Sequence, residues 1–528
     1  MTPNTSRLAP ARRIPMSGMR RKFLRAAAIS AARQGYDGAG SSRLTGDWWP
    51  GGLDVNALIA TASPSLRARV RDLVRNFPPF IRAVNGVVAF TVGKGSRFQS
   101  LAVLPNGEPD LQARRKIEDR FRAWMDTADV AGKLHFYELQ QLAKRQECES
   151  GEYIARFTAP RRRRQPLAIQ MLESESLSAW LAGERAKDTD IFQGVEYDIY
   201  TGEPAAYHFQ TSYSWQNLAN WREPAANVLH GFDMHRPGQL RGVTPFAPAV
   251  MLARDMGDYM GAEIDAAKMA AKWLAFVTSP NPEMYQGARP PGLVGQGGAR
   301  PERQDIDWLE NAAIEYLRVG EDIKIAPGSQ RPGDAFDRTT GFILRMVAIT
   351  MNLPYEILSG DYKGINYSTS KASRNDFSMF LVPHHFRLEA HFIRPVFHRW
   401  LDTEALTQDY LKGYFLNPDR FRKAMWIPAG MPSVDPLRDG KADLDAITGG
   451  IRSPQMVILG QGNDPEQVVI QRAEWKRLCE AYGVDATTGG VSTSLASNPA
   501  KLGAVEPFEP PVTNNPDQDT DGEEPEYA

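Results

Sequence analysis

The stretch Leu353–Arg374, LPYEILSGDYKGINYSTSKASR, decides how this chain is read. It is rich in Gly, Asn, Ser, Thr and Tyr, with acidic and basic side chains mixed in, and both flanks carry apolar residues at helical spacing. Four readings are open: a phosphate-binding loop, a nucleophile loop, a plain connector, or a loop that touches something large. A phosphate loop follows a strand and opens a helix, so that backbone amides meet the phosphates, and it carries G-x-x-x-x-G-K-[ST]. SGDYKGINYST lacks the Lys after its second Gly and follows a helical pattern. A nucleophile elbow G-x-S-x-G is absent, so Ser359, Ser368 and Ser370 read as loop and N-cap residues. What remains is a polar connector between two long helices.

Those helices define the rest of the chain. Upstream, GVTPFAPAVMLARDMGDYMGAEIDAAKMAAKWLAFV predicts one helix from Pro245 to Val277, roughly 45–50 Å long at about 1.5 Å per residue. Arg254, Asp255, Asp258, Glu263, Asp265, Lys268 and Lys272 are spread along it, which excludes a membrane span. Small residues such as Gly257, Gly261, Ala262 and Ala266 would let neighbouring rods approach closely. A Gly/Pro-rich segment, 278–335, holds a helical piece near Asp305–Asn311 and strand-like IEYLRV and IKIA. A return helix, Phe336–Asn352, stops before Pro354. Downstream of the loop a helix runs from Ser368 to Leu401, with kinks expected at Pro383 and Pro395. His384, His391 and His398 recur on it at intervals of seven. Without H-E-x-x-H, such a row reads as helix packing rather than a zinc site.

Residues 60–243 read as a mixed α+β block. Ser63 followed by Pro64 looks like an N-cap and N1 pair. Further helices are expected to follow, one running to about Val92 and others near 110–126 and 135–148. GEYIARFTAPRRRRQPLAIQML and GVEYDIYTGEPAAYHFQTSY read as hairpins. The first has Arg161, Arg162, Arg163 and Arg164 at its tip, either a solvated turn or a contact for nucleic-acid backbone or an acidic partner. A strand near Met425 and helices at 438–449, 453–460 and 464–482 complete the ordered part.

The whole chain has 528 residues and a net charge of -1, with 42% hydrophobic and 24% charged residues. That is a globular composition with room for two to four domains, and not a polycation built to coat nucleic acid. The charge is uneven. Residues 1–34 carry eight Arg/Lys and no acid, and residues 504–528 carry eight Asp/Glu and no Lys or Arg. Both ends read as disordered or loosely attached. After the basic end, Gly35–Gly52, with Tyr36, Trp48 and Trp49, is expected either to lie across a neighbouring subunit or to pack locally. Two distant cysteines, Cys148 and Cys479, exclude a disulfide framework and a Cys-based zinc site, and fit folding in a reducing cytoplasm. Neither a signal peptide nor a membrane segment is expected.

The order of elements and several local motifs together resemble the lambda-type family of bacteriophage portal proteins. The motifs are GYDGA with SR and W downstream (Tyr36 to Trp48), RARVRDLVRNFPPFIRAVNGVVAFTVGKG (Arg67 to Gly95), RPGQLRGVTPFAPAVMLARD (Arg236 to Asp255), the opening stretch, and MPSVDPLRDGKAD (Met431 to Asp443). The resemblance implies an α+β portal-type fold of wing, long-helix stem, small α/β clip and helical crown, assembled into a ring of about twelve subunits with a head-to-tail interface. Its divisions fall as follows: a basic arm at 1–60, the wing at 61–243, stem helices at 244–277 and 336–354, and the clip at 278–335. They continue with a tunnel loop at 355–370, a long kinked helix and wing strand at 371–436, crown helices at 437–483, and an acidic tail at 484–528.

The resemblance further implies a non-enzymatic channel for double-stranded DNA at one capsid vertex, in the virion and, during assembly, in the host cytoplasm. No cofactor is implied. The partners would be further copies of the chain, DNA, the terminase large subunit, the major capsid protein and head-completion or tail-connector proteins. The DNA-facing candidates are Asp361, Tyr362, Lys363, Gly364, Asn366, Tyr367, Ser368, Lys371 and Arg374. Competing readings are a metal-dependent nuclease and a ring-shaped head–tail adaptor.

Overall fold

The structure is a computed structural model that describes residues 52–160, 167–177, 188–211, 219–272, 276–278, 322–324 and 334–482. The basic arm with Tyr36, Trp48 and Trp49, Arg161–Arg164, most of segment 278–335 and the acidic tail lie outside these residues. Helices and strands are mixed throughout, as an α+β chain requires, and the chain divides into two compact units.

The first unit comprises residues up to 85, 143–158 and 169–359. Its helix Val55–Asn76 begins earlier than the Ser63–Pro64 pair suggests. Asp54 caps it by accepting from the Asn56 N–H at 3.0 Å, and Pro64 lies inside. Burial explains the difference, because Val55, Ile59, Val70 and Val74 form one continuous buried stripe through the proline. Two antiparallel sheets follow. Strands Glu152–Thr158, Ala168–Leu172 and Val228–Phe232 form one, with Glu152–Thr158 central. The other runs in chain order through Thr189–Phe192, Val195–Asp198, Pro204–Thr211 and Ala219–Pro224, including the hairpin that turns at TGEP. Ile154, Leu177, Val195, Tyr207, Phe209 and Val228 form a buried cluster drawn from both sheets.

A buried ion cluster locks the centre of this unit. Glu152 is fully buried and accepts from Arg241 at 2.5 and 2.9 Å, Arg67 at 3.2 Å, His230 at 3.1 Å and the Gly242 N–H at 2.9 Å. Burial by itself would raise its pKa. The charge of Arg241 and the hydrogen bonds from His230 and Arg241 override that and hold the carboxyl well below its usual range. Arg67 and Arg241 both fall in stretches that carry the sequence resemblance. The backbones that bring them in almost touch: a Cβ on Gly151 would lie 2.2 Å from the Val243 carbonyl carbon, and one on Gly242 would lie 2.1 Å from the Gly151 oxygen.

Helix Val250–Lys272 follows one 3-10 turn containing Pro248, so it starts later than Pro245. It also stops earlier than expected. Phe276–Thr278 is a strand paired antiparallel with Asp322–Lys324, because the aromatic and β-branched Phe276 and Val277 suit an extended ladder. Tyr259 stacks on Phe336 at 5.9 Å, joining this helix to Asp334–Thr350.

The second unit comprises residues 86–142, 159–168 and those from 360 onward. Strand Arg97–Ser100 pairs antiparallel with Ala424–Ile427, placing Phe98 opposite Trp426. Those rings join Phe121, Phe397 and Trp400 in one aromatic core, with neighbouring centroids 4.7–6.1 Å apart. Phe397 and Trp400 come from helix Arg394–Glu404. The kink expected at Pro395 is taken up by a π-helical turn, Glu389–Ile393, just before it, since the proline has no N–H to give to residue 391. His384 accepts from Arg387 at 2.9 Å, and His385 lies 3.3 Å from the Phe90 carbonyl. Helices Pro436–Thr448, Pro454–Gly460 and Pro465–Ala481 end the described chain, each opened by a proline behind an Asp or Ser cap.

Candidate functional site

The segment Leu353–Arg374 has three parts. Helix Asp334–Thr350 ends because Asn352 adopts a left-handed conformation (φ 50) and the Leu353 N–H reaches back to the Ala348 carbonyl at 3.0 Å. Pro354 then forbids continuation. The next five residues, Tyr355–Ser359, are not loop, as the 355–370 range has it, but a short helix. Leu358 is buried, Arg345 lies 4.9 Å over the Tyr355 ring, and Arg82 donates to the Ile357 carbonyl at 3.0 Å. These contacts fold the apolar YEIL residues onto the first unit.

Residues 360–366 are the loop proper, and all but Ile365 are exposed. The loop is ordered by its own polar groups. Lys363 N–H donates to Asp361 Oδ1 at 3.1 Å, and Ile365 N–H to the Tyr362 carbonyl at 3.4 Å. Gly364, at φ 74, holds the third place of that turn, where a type II turn needs a left-handed residue. Asn366 is the N-cap of helix Tyr367–Leu388, accepting from Thr369 N–H at 2.8 Å and Thr369 Oγ1–H at 2.9 Å. The cap is thus Asn366, and Ser368 and Ser370 lie within the helix.

The first turns of that helix are tied to the C-terminal segment. Lys371 donates to Asp439 Oδ1 at 2.5 Å and to the Tyr367 hydroxyl at 3.2 Å. Asp439 also accepts from Ser433 at 2.6 Å, and the Arg438 guanidinium sits 5.2 Å over the Tyr367 ring. Arg374 donates to the Pro432 carbonyl at 3.0 Å. The hydrogen bond to Asp439 raises the Lys371 pKa, and the same bond, with that from Ser433, lowers Asp439.

The nine candidates therefore separate by what already holds them. Tyr367, Lys371 and Arg374 are engaged at the base of the loop, Asn366 is used as a cap, Asp361 and Gly364 shape the loop's turns, and Ser368 lies in the first helical turn. Tyr362 and Lys363 are exposed at its tip, and neither side chain has a hydrogen bond or ion pair among the described residues. Sequence reasoning missed Ser433, Arg438 and Asp439 as the counterparts of the base, although they lie in the MPSVDPLRDGKAD stretch. Arg161–Arg164 cannot be placed beside them, lying outside the described residues. Among the described residues no group of three His, Cys, Asp or Glu side chains could hold a metal ion, and no helix is long and apolar enough to cross a membrane.

Residues 41–381 match the family model "Phage portal protein, lambda family". The "Probable portal protein" of Halomonas phage phiHAP-1 is 25% identical over 84% of this chain and 87% of its own length. "Portal protein B" of Escherichia phage lambda is 22% identical over 47% of this chain and 49% of its own. Among solved structures, a chain of "Neck of native GTA particle computed with C12 symmetry" superposes with a TM-score of 0.44 and 17% identity, over 77% of this chain and 98% of that one. With more than half of its length matched by the family model, the chain belongs to the lambda family of phage portal proteins.

Proposed function

We propose that this portal protein assembles into a closed ring of about twelve copies at one vertex of the capsid. Double-stranded DNA passes through the ring, and the terminase large subunit and then head-completion proteins dock on it. In this reading 244–277 and 336–354 form the stem, 278–335 the clip that receives the docking partners, and 437–483 the crown. The loop, now 360–366, faces the lumen with Tyr362 and Lys363 at its tip.

The observation that carries the ring is helix Tyr367–Leu388, which is apolar on two opposite sides. Phe377, Leu381 and Leu388 are buried on one side. At about 100° per residue, Met379, Val382 and Phe386 lie roughly 150° round the helix from them, and are 71%, 57% and 62% exposed. A helix that buries one apolar side and exposes large apolar residues on the other has a second side to cover, and that side supplies a contact for an identical neighbour. A single basic tip residue also suits the lumen, since a densely basic channel would hold DNA phosphates and stall transport.

Negative-stain imaging of the purified protein tests this. Rings with a central hole wide enough for duplex DNA are expected. A persistent monomer with nuclease or ATPase activity would overturn the reading.

A further inference from the structure

The second unit contains a cavity of about 380 Å³ that the channel reading does not use. It lies where the end of helix Pro78–Thr91, the turn before strand Arg97–Ser100, the segment Pro428–Pro432 and the pair Gln461–Gly462 meet. Its volume falls in the range of about 300–1,000 Å³ typical of ligand pockets. Half-buried Phe90 and Met431 supply apolar lining. Lys94 and Arg97 are exposed on its rim, and no Asp or Glu lines it. Arg97 is steadied by donating to Asn463 Oδ1 at 2.8 Å, and Lys94 has no ion-pair partner among the described residues. One wall is a close backbone crossing, where a Cβ on Gly430 would lie 2.3 Å from the Gln461 carbonyl carbon. The pocket is thus a built apolar recess with two cations at its mouth.

Such a recess selects an aromatic side chain flanked by carboxylates, and this chain carries one. Residues 504–528 hold eight acids and no Lys or Arg, and within them Glu506–Pro511 reads EPFEPP. Phe508 stands between Glu506 and Glu509. Pro507, Pro510 and Pro511 restrict the backbone, which lowers the ordering cost of docking. The distances allow the same chain to supply it. The described residues end at Tyr482, in the unit that contains the pocket, after a helix Pro465–Ala481 of about 25 Å that begins just beyond Gly462. Residues 483–508 can span up to about 85 Å, more than three times that length.

We infer that Glu506–Pro511 docks into this pocket on its own chain, with Phe508 against Phe90 and Met431, and Glu506 and Glu509 facing Lys94 and Arg97. The contact pins the acidic terminus to the body of the subunit and weakens as salt rises.

The test uses the full chain with the photoreactive residue benzoylphenylalanine at position 508. The protein is assembled from equal parts of light and isotope-heavy chains, and the adducts are mapped by mass spectrometry. Adducts are expected at Phe90 or Met431 within isotopically uniform chains. Lys94→Glu with Arg97→Glu should cut their yield about tenfold, and adding Glu506→Lys with Glu509→Lys should restore it. If loss of the Arg97–Asn463 bond unfolds the double variant, Lys94→Glu alone is read, with about a threefold loss expected. Adducts on other surfaces, adducts between light and heavy chains, or a yield indifferent to charge reversal would each overturn the inference.

Discussion

Lys371 and Asp439 face each other at 2.5 Å across the base of the loop, 68 residues apart in sequence, and each shifts the other's titration toward the charged form. The pair joins the first turn of helix Tyr367–Leu388 to the start of helix Pro436–Thr448. It anchors a loop whose tip is shaped by local turns. Asp439→Asn should therefore leave the fold intact and loosen the base, raising the rate of trypsin cleavage at Lys363 about two- to fivefold. The pH dependence follows from the two shifts. The lowered Asp439 contributes fully above its unfolded pKa of 3.8, and that contribution is lost as pH falls through its lower folded value. The raised Lys371 contributes fully below 10.5, and that is lost as pH rises through its higher folded value. Cleavage at Lys363 should thus be slowest on a broad plateau between these limits. A protease with an acidic optimum, used on the acid side, should find the loop increasingly open there.

Glu152 gives the sharpest stability prediction. Glu152→Gln keeps the shape but leaves the buried Arg241 guanidinium without its counter-charge, and leaves Arg67 with only the part-exposed Glu175 at 3.4 Å. Breaking a buried pair in this way costs about 3–5 kcal/mol, read as a lower denaturant midpoint. The folded carboxyl titrates below the ordinary glutamate value of 4.5, so its contribution is complete above that value and is lost as pH falls through the folded pKa. Wild type should lose stability steeply on acidification below about pH 4.5, and Glu152→Gln should lose less over the same range.

Gly151→Ala tests the backbone crossing that positions this cluster. The glycine sits at φ 87, and its Cβ would meet the Val243 backbone at 2.2 Å. Neither the dihedral nor the contact can relax by a side-chain rotation, so the loss should exceed the about 1 kcal/mol of an ordinary Gly→Ala misfit. Full stability in the variant would show that Arg241 does not depend on this approach to reach Glu152.

Element identity was largely legible in the sequence, because helical periodicity and proline caps are local signals. Ser453–Pro454 and Asp464–Pro465 mark helix starts that the structure repeats. The errors lie where distant contacts outweigh the local cue. Ser63–Pro64 looks like a cap, but the buried stripe of Val55, Ile59 and Val70 carries the helix through it. Tyr355–Ser359 has loop-like surroundings, but Leu358 finds a buried site and makes it a helix. The loop's polar character was visible in DYKGIN. That Lys371 and Arg374 are engaged at its base was not, because their partners Asp439 and Pro432 are about sixty residues away. The π turn ahead of Pro395 was equally hidden, since nothing in a sequence distinguishes it from a kink.

The outward stripe of helix Tyr367–Leu388 separates folding from assembly. Met379 and Phe386 are 71% and 62% exposed, so replacing them removes little that the subunit itself buries. Met379→Asp with Phe386→Asp should leave the denaturant midpoint of the isolated subunit nearly unchanged, within about 0.5 kcal/mol. If the proposed ring uses this stripe as its subunit contact, a carboxylate introduced there is left desolvated and without a partner. Every subunit contact in the ring repeats the defect, so the cost multiplies around the circle and assembly should collapse to monomers and small oligomers. Sedimentation velocity reads this directly. Phe377→Asp is the control from the opposite, buried side, and should unfold the subunit instead. If the Met379/Phe386 double variant still forms rings, the stripe is not the subunit contact, and the neighbour must bind another face.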